Sequence, residues 1–180
     1  MSRSLLINIH LYLAAFFAPV LLMVACSGGL YLLGIKGNVI ETAIDIPAAT
    51  EFNFDSSTID QDVASLLAAA GEPNEFEYLK RRGDTMFTRP TSRQHYQITQ
   101  TETELLLTRR SPDLQSGMIE LHKGHGPLMF KTFQKFMALG LLVVLLSGVW
   151  LGVSSSRLRV PTLLTSAAGL GLFLLLGFVL

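Results

Sequence analysis

Residues 136–156 read FMALGLLVVLLSGVWLGVSSS and contain no formal charge. A bilayer hydrocarbon core about 30 Å thick is crossed by about 20 apolar residues in a helix. Inside lipid no water is available to backbone N–H and C=O groups, so such a run must satisfy them internally and is read as a helix. Two further uncharged runs have the same character: residues 4–35, SLLINIHLYLAAFFAPVLLMVACSGGLYLLGI, and residues 160–180, VPTLLTSAAGLGLFLLLGFVL. Transmembrane helices are therefore expected over 5–35, 127–155 and 160–180. Pro19 should kink the first. Pro161 suits the opening of the third, where a missing N–H costs nothing.

Averages over the whole chain hide this division. Of 180 residues, 49% are hydrophobic and 16% charged, and fourteen basic side chains cancel fourteen acidic ones. Zero net charge and one cysteine exclude a nucleic-acid binder, a polybasic membrane-surface protein and a disulfide-stapled mini-protein. Yet twenty-five of the twenty-eight charges fall between Lys36 and Lys135, leaving only Arg3, Arg157 and Arg159 elsewhere. Residues 36–126 thus read as a soluble domain set between the first two spans. Arginines in short segments mark the cytoplasmic side. That places the N-terminus and the second loop in the cytoplasm of a bacterium, residues 36–135 mostly in the periplasm, and the spans in the inner membrane. Met23-Val24-Ala25-Cys26 looks like a lipobox, but the apolar run continues to Ile35 and favours a buried thiol in an uncleaved helix.

Leu21–Gly28 and Leu141–Gly148 follow one pattern, LLMVACSG and LLVVLLSG, offset by 120 positions. Ser27, Gly28, Ser147 and Gly148 are expected to be helix-packing surfaces, because small side chains let helices approach closely. Ala167 and Gly171 give the third span a similar stripe.

Between the spans the hydrophobic period changes. Thr58 and Gln61 have capping-box spacing, and Ile59, Val63, Leu66, Leu67 and Ala70 share one face of a short helix ending at Gly71. Glu75–Lys80 and Thr85–Arg89 read as a hairpin turning at Arg81–Asp84. Gln94–Thr99 and Glu104–Arg109 form a second, turning around Glu102. Tyr96, Ile98, Leu105 and Leu107 alternate with polar neighbours, giving each strand one buried face. The expected fold is three transmembrane helices with a small α+β insert, one helix on an antiparallel sheet, between the first two. The insert holds no GxSxG, P-loop, HExxH or cysteine pair. Asp60, Asp62, Glu72, Glu75 and Glu77 read as a solvated face. His95, of opposite parity to Tyr96 and Ile98, reads as a surface histidine.

Three histidines remain. His10 lies near the start of the first span, and an ionisable residue within a span is a functional candidate. His122 and His125 lie at the mouth of the second, near Lys131 and Lys135, which can snorkel. As a metal site the His122/His125 pair is incomplete.

His10, Ser27-Gly28-Gly29-Leu30, Leu121-His122-Lys123-Gly124 and Ser147-Gly148-Val149-Trp150, in that order, resemble the PepSY-associated transmembrane family over residues 5–155. The resemblance implies a periplasmic PepSY-like α+β domain of one helix on a sheet. It also implies a link to iron uptake, since larger members look like haem-containing ferric-siderophore reductases. His10, His122 and His125 are then candidate ligands of haem b or a metal. Bis-histidine haem ligation needs two imidazoles at similar depth. On the expected topology His10 and His122 are separated by about 30 Å of helix. A single chain therefore cannot sandwich an intramembrane haem between them, whereas two chains can bring His10 to His10 across a two-fold axis.

The leading expectation is a non-enzymatic, membrane-anchored protein whose periplasmic domain binds or regulates a partner. The alternatives are a haem-dependent, ferric-reductase-like component and a small accessory subunit. Its expected partners are the lipid bilayer and a second copy or another membrane protein, with no nucleic acid.

Overall fold

A computed structural model describes residues 2–46, 52–101 and 103–179. Glu102, at the expected second turn, lies outside the described residues. Three helices are long and apolar enough to cross a membrane: Arg3–Leu32, Leu128–Val153, and Arg159–Val179. The first two are α1 and α4 below, and the third comprises α5 (Arg159–Leu174) and a closing π turn, Leu175–Val179. Pro19 lies inside α1, and Pro161 falls in the first turn of α5, where N–H groups have no intrahelical partner in any case. By its contacts the chain divides into two compact units, residues 1–20 with 135–180, and residues 21–134.

The first unit is helical. Phe17 and Met137 are buried within it. A Cβ added at Gly140 would run into the Phe17 ring, lying 2.8 Å from Cζ, so only glycine permits this approach of α1 and α4. Thr162 seats on Gly152 in the same way, with Cγ2 2.9 Å from where a Cβ would stand. No described residue of α5 is buried within the chain, and Gly169 and Gly171 have open space beside them.

The second unit contains a five-stranded antiparallel sheet in the order β1-β5-β4-β3-β2. In chain order these are β1 (Val39–Ile44), β2 (Tyr78–Arg82), β3 (Thr85–Arg89), β4 (His95–Gln100) and β5 (Leu105–Pro112). Both expected hairpins are present. The sequence reading missed β1, an edge strand with mostly exposed side chains that pairs Val39 with Pro112 through Ile44 with Leu107.

Helix α2, Ile59–Ala69, covers one face of the sheet. Its Val63, Leu66 and Leu67 meet Met86, Tyr96, Ile98 and Leu107, with Phe54 closing the cluster. The capping box does not form. Thr58 makes no side-chain cap bond, and its hydroxyl instead donates to the Asp62 carboxylate at 3.2 Å. Nor are the acids all solvated: Glu72 is largely buried, accepting from Arg109 at 3.0 Å and from the Tyr96 hydroxyl at 2.8 Å.

A second helix missing from the sequence reading, α3 (Leu114–His122), lies between β5 and the second span. Asp113 caps it, one carboxylate oxygen accepting from Ser116 N at 2.8 Å and the other from Asn38 N at 2.7 Å. Those two N–H bonds hold the Asp113 carboxyl below the usual carboxylate range. Gly37, at φ 71°, stands where a Cβ would strike both Asp113 and Ser116, so Gly37→Ala should loosen this cap. The expected cost is about 1 kcal/mol or more from the left-handed backbone and the lost cap. Chemical denaturation of the protein checks it, and an unchanged midpoint would contradict the role given to Gly37. Gly124, at φ 75°, follows the C-cap Lys123 and ends the helix.

Further bonds within this unit fasten the domain to the nearby helix ends. Gln115 donates to Ile35 O at 3.2 Å, Leu128 N to Glu77 at 2.6 Å, and Lys131 to the Tyr78 hydroxyl at 2.7 Å.

Candidate functional site

The two Ser-Gly pairs of the sequence repeat are each occupied by a histidine. In the first unit His10 Nδ1 lies 2.9 Å from Ser147 Oγ, and its Cε1 lies 3.2 Å from where a Cβ on Gly148 would stand. In the second unit His122 Nδ1 lies 3.1 Å from Ser27 Oγ, with Cε1 again 3.2 Å from a Cβ on Gly28. Each serine hydroxyl also donates to the carbonyl three residues earlier, Ser147 to Val144 O at 3.1 Å and Ser27 to Val24 O at 3.2 Å. A hydroxyl has one proton. With that proton given to the helix, its oxygen accepts from imidazole Nδ1–H. The same notch is thus built twice: α4 receives its histidine from α1, and α1 receives its histidine from α3. Beside the second notch lies a recess of about 240 Å³ lined by Ser27, Gly28, Tyr31, Ile119, His122 and Lys123.

His125 has a different partner from His122. Its Nδ1 lies 2.8 Å from Glu120 Oε2, and it lines a separate and larger groove. Among the described residues no group of three or more His, Cys, Asp or Glu side chains is placed to hold a metal ion. Cys26 is exposed and free.

The larger groove, about 470 Å³, opens on the sheet face opposite α2. Strand alternation makes it: residues facing away from Met86, Tyr96, Ile98 and Leu107 line it together. Lys80 and Arg82 come from β2, Phe87 and Arg89 from β3, His95 from β4 and Arg110 from β5, with Ser116 and Glu120 from α3 and Lys123 from its C-cap. The close seat of α3 depends on Gly117, where a Cβ would lie 2.8 Å from Ser92 O.

Glu120 is the one acid lining the groove among the described residues. It accepts from the Thr91 hydroxyl at 2.6 Å and from Lys123 at 3.1 Å, besides its contact with His125. Burial pushes its carboxyl up, but the bonds from Thr91, His125 and Lys123 outweigh this and hold it at about 2. Arg89 lies beneath, its Nη1 donating to Thr91 Oγ1 at 2.6 Å and standing 3.8 Å from Glu120. Arg110 pairs with Glu41 at 2.5 Å and with Gln97.

His95 does face away from the core, as its parity predicts, but it is not on the surface. It is 7% exposed, because the groove walls cover that face. Burial lowers its pKa, and the Arg110 and Arg89 charges add to this against the Arg93 carbonyl and Glu120, so the ring is neutral at pH 7. Nδ1 lies 2.9 Å from Arg93 O and donates to it, leaving Nε2 as an acceptor.

These shifts predict an acid transition. The Glu120 carboxylate lies near 2 in the fold against 4.5 without it, so its stabilisation is complete above about pH 4.5 and is lost as pH falls towards 2. Depression of the His95 pKa acts in the same direction. Protection of the α3 amides against hydrogen exchange, relative to their intrinsic rates at each pH, should fall below about pH 4.5 in the wild type. Glu120→Gln should be less protected at pH 7, with a protection that depends less on pH. A wild-type profile flat down to pH 2 would contradict the assignment.

Comparison with family models, curated proteins and solved structures gives no significant match.

Proposed function

We propose that this chain is a bacterial inner-membrane protein of PepSY type whose domain between the first two spans lies in the periplasm and binds or regulates a partner. One observation carries the binding role. The sheet is sealed by α2 on one face, while its other face holds a walled, cationic groove with a single acid. A domain serving only as an anchor needs no such face. The three arginines outside the central segment supply the orientation. The ordered motifs from His10 to Trp150 supply the PepSY reading.

A photoreactive residue at Val39, inside the groove, should capture a discrete partner in living cells. The same residue at Gln61, exposed on α2, should not. Equal capture from both positions, or none from Val39, would refute the binding role.

A second reading rests on the two serine-held imidazoles. Holding Nδ1 and leaving Nε2 bare is how proteins orient a histidine towards a metal, which favours a haem-linked, ferric-reductase-like role. The fit is partial, since each unit anchors one such imidazole. A bis-histidine haem would take His10 from each of two copies, and when bound would supply one-electron transfer. Protein purified from haem-replete cells should then show a Soret band that His10→Ala abolishes. Colourless protein would dismiss this reading.

A further inference from the structure

We propose that the cationic groove on the open sheet face binds a phosphate ester, offered by a soluble metabolite or by the headgroup of an anionic phospholipid. This rests on the partner-binding reading above and names the chemistry of what is bound.

Arg89 is the first reason. Its side chain is 10% exposed, and its Nε is the one buried side-chain polar atom without a partner among the described residues. A permanently charged group carrying an orphan donor is costly in a folded protein. One end of the guanidinium is already committed to Thr91 and Glu120. Nε has no open surface as the side chain stands, so an oxyanion in the groove that Arg89 lines meets this edge, the side on which an arginine forks, by turning it outward.

Charge is the second. Lys80 and Arg82 line the groove, are exposed on β2, and make no ion pair among the described residues. Glu120 is already spent on its three donors. Lys80 and Arg82 therefore leave uncompensated positive charge on β2, beside the Arg89 guanidinium of the neighbouring strand β3. A tetrahedral phosphate, whose free oxygens and bridging oxygens do not share one plane, answers such an arrangement better than a planar carboxylate.

His95 and the groove's size complete the fit. The neutral His95 ring offers an acceptor to a hydroxyl on the organic part of the ester. Phe87 and Val39 give apolar contact for the organic part, and about 470 Å³ is the volume of a small-molecule site. Val39 follows seven residues after the end of α1, and His125 lies three residues before the start of α4. The groove therefore lies next to both spans along the chain, and a lipid headgroup and a soluble ester share the required chemistry.

The test uses full-length protein in neutral detergent. Calorimetric titration with glycerol 3-phosphate and with inorganic phosphate reads the soluble source. Native mass spectrometry after adding phosphatidylglycerol or phosphatidylcholine reads the lipid one. Binding is expected to at least one phosphate probe, weakened about tenfold or more by Lys80→Ala/Arg82→Ala and by Arg89→Lys, which keeps the charge but loses the fork. The exposed double variant guards against a folding defect at Arg89. Selective retention of phosphatidylglycerol identifies a headgroup, and binding of the soluble esters without it identifies a metabolite. The proposal is overturned if neither source binds the wild type more tightly than the double variant. If capture from Val39 persists in that case, the partner-binding reading survives; if it is absent too, both fall.

Discussion

Ile98→Asp should unfold the sheet domain while leaving the three apolar helices in the membrane fraction. Ile98 is fully buried at the centre of the sheet, with Leu67 and Val63 of α2 equally inaccessible above it. A carboxylate there would have no partner, because the polar groups nearest the core are already satisfied: Glu72 is bound by Arg109 and Tyr96, and Thr88 Oγ1 accepts from Tyr96 N at 2.8 Å. Burying an unpaired charge or protonating it, together with the lost packing, costs about 4–5 kcal/mol or more. That approaches the whole stability of a small domain, about 5–15 kcal/mol. Limited trypsin digestion checks it: the wild type should resist cleavage at Lys80–Arg82, and the variant should be cut there rapidly. Ile98→Val, which removes one methylene, should cost only about 1 kcal/mol and remain resistant. Rapid cleavage of the wild type, or resistance of the aspartate variant, would contradict the placement of this core.

Gly140→Leu should have the largest effect in the helical unit. Gly140 lies against Phe17, and a Cβ at this position would overlap the ring. Phe17 is 6% exposed, so the ring has little room to swing aside. Overpacking a tight contact costs about 1–3 kcal/mol, and a leucine here forces α1 and α4 apart rather than displacing one flexible chain. Thermal unfolding of detergent-solubilised protein should shift down, and Phe17→Ala should restore much of the loss when combined with Gly140→Leu. That coupling is the signature of direct contact. Simple addition of the two single effects would show that the residues do not meet.

The amount of this legible in the sequence follows from the range of the forces involved. The three long helices were visible because lipid exposure imposes one local rule, continuous apolarity, on every residue. Helix α2 and the hairpins were visible for a similar reason, since Val63, Leu66, Leu67, Tyr96, Ile98 and Leu107 all face one core. Strand β1 escaped because an edge strand such as Val39–Ile44 need not alternate. Helix α3 escaped because it is short and lies only a few residues before the second span, although Asp113 before it and Gly124 after it are the ordinary start and stop signals.

Ser27-Gly28 and Ser147-Gly148 stood out as a repeat, but nothing local tells which histidine fills which notch. The pairings of Ser27 with His122 and Ser147 with His10 are set by the fold. The groove was the least legible feature. Lys80, Arg82, Arg89, His95 and Arg110 are scattered among other charges, and only the strand register brings them to one face. Parity placed His95 on the side away from Tyr96. Arg82 and Arg110 lie beyond the strand ends read from the sequence, so the same count did not reach them; β2 and β5 run on to Arg82 and Pro112.

The account depends most on which side of the membrane this face occupies. The direct measurement is labelling of single cysteines by a membrane-impermeant maleimide in intact spheroplasts, with Cys26→Ser as background. Thr103→Cys, in the exposed β4–β5 turn, should label at once, and Ser155→Cys, between the last two helices, only after the membrane is opened. Labelling of Ser155→Cys in intact spheroplasts, with Thr103→Cys protected, would place the groove in the cytoplasm and contradict the proposed function.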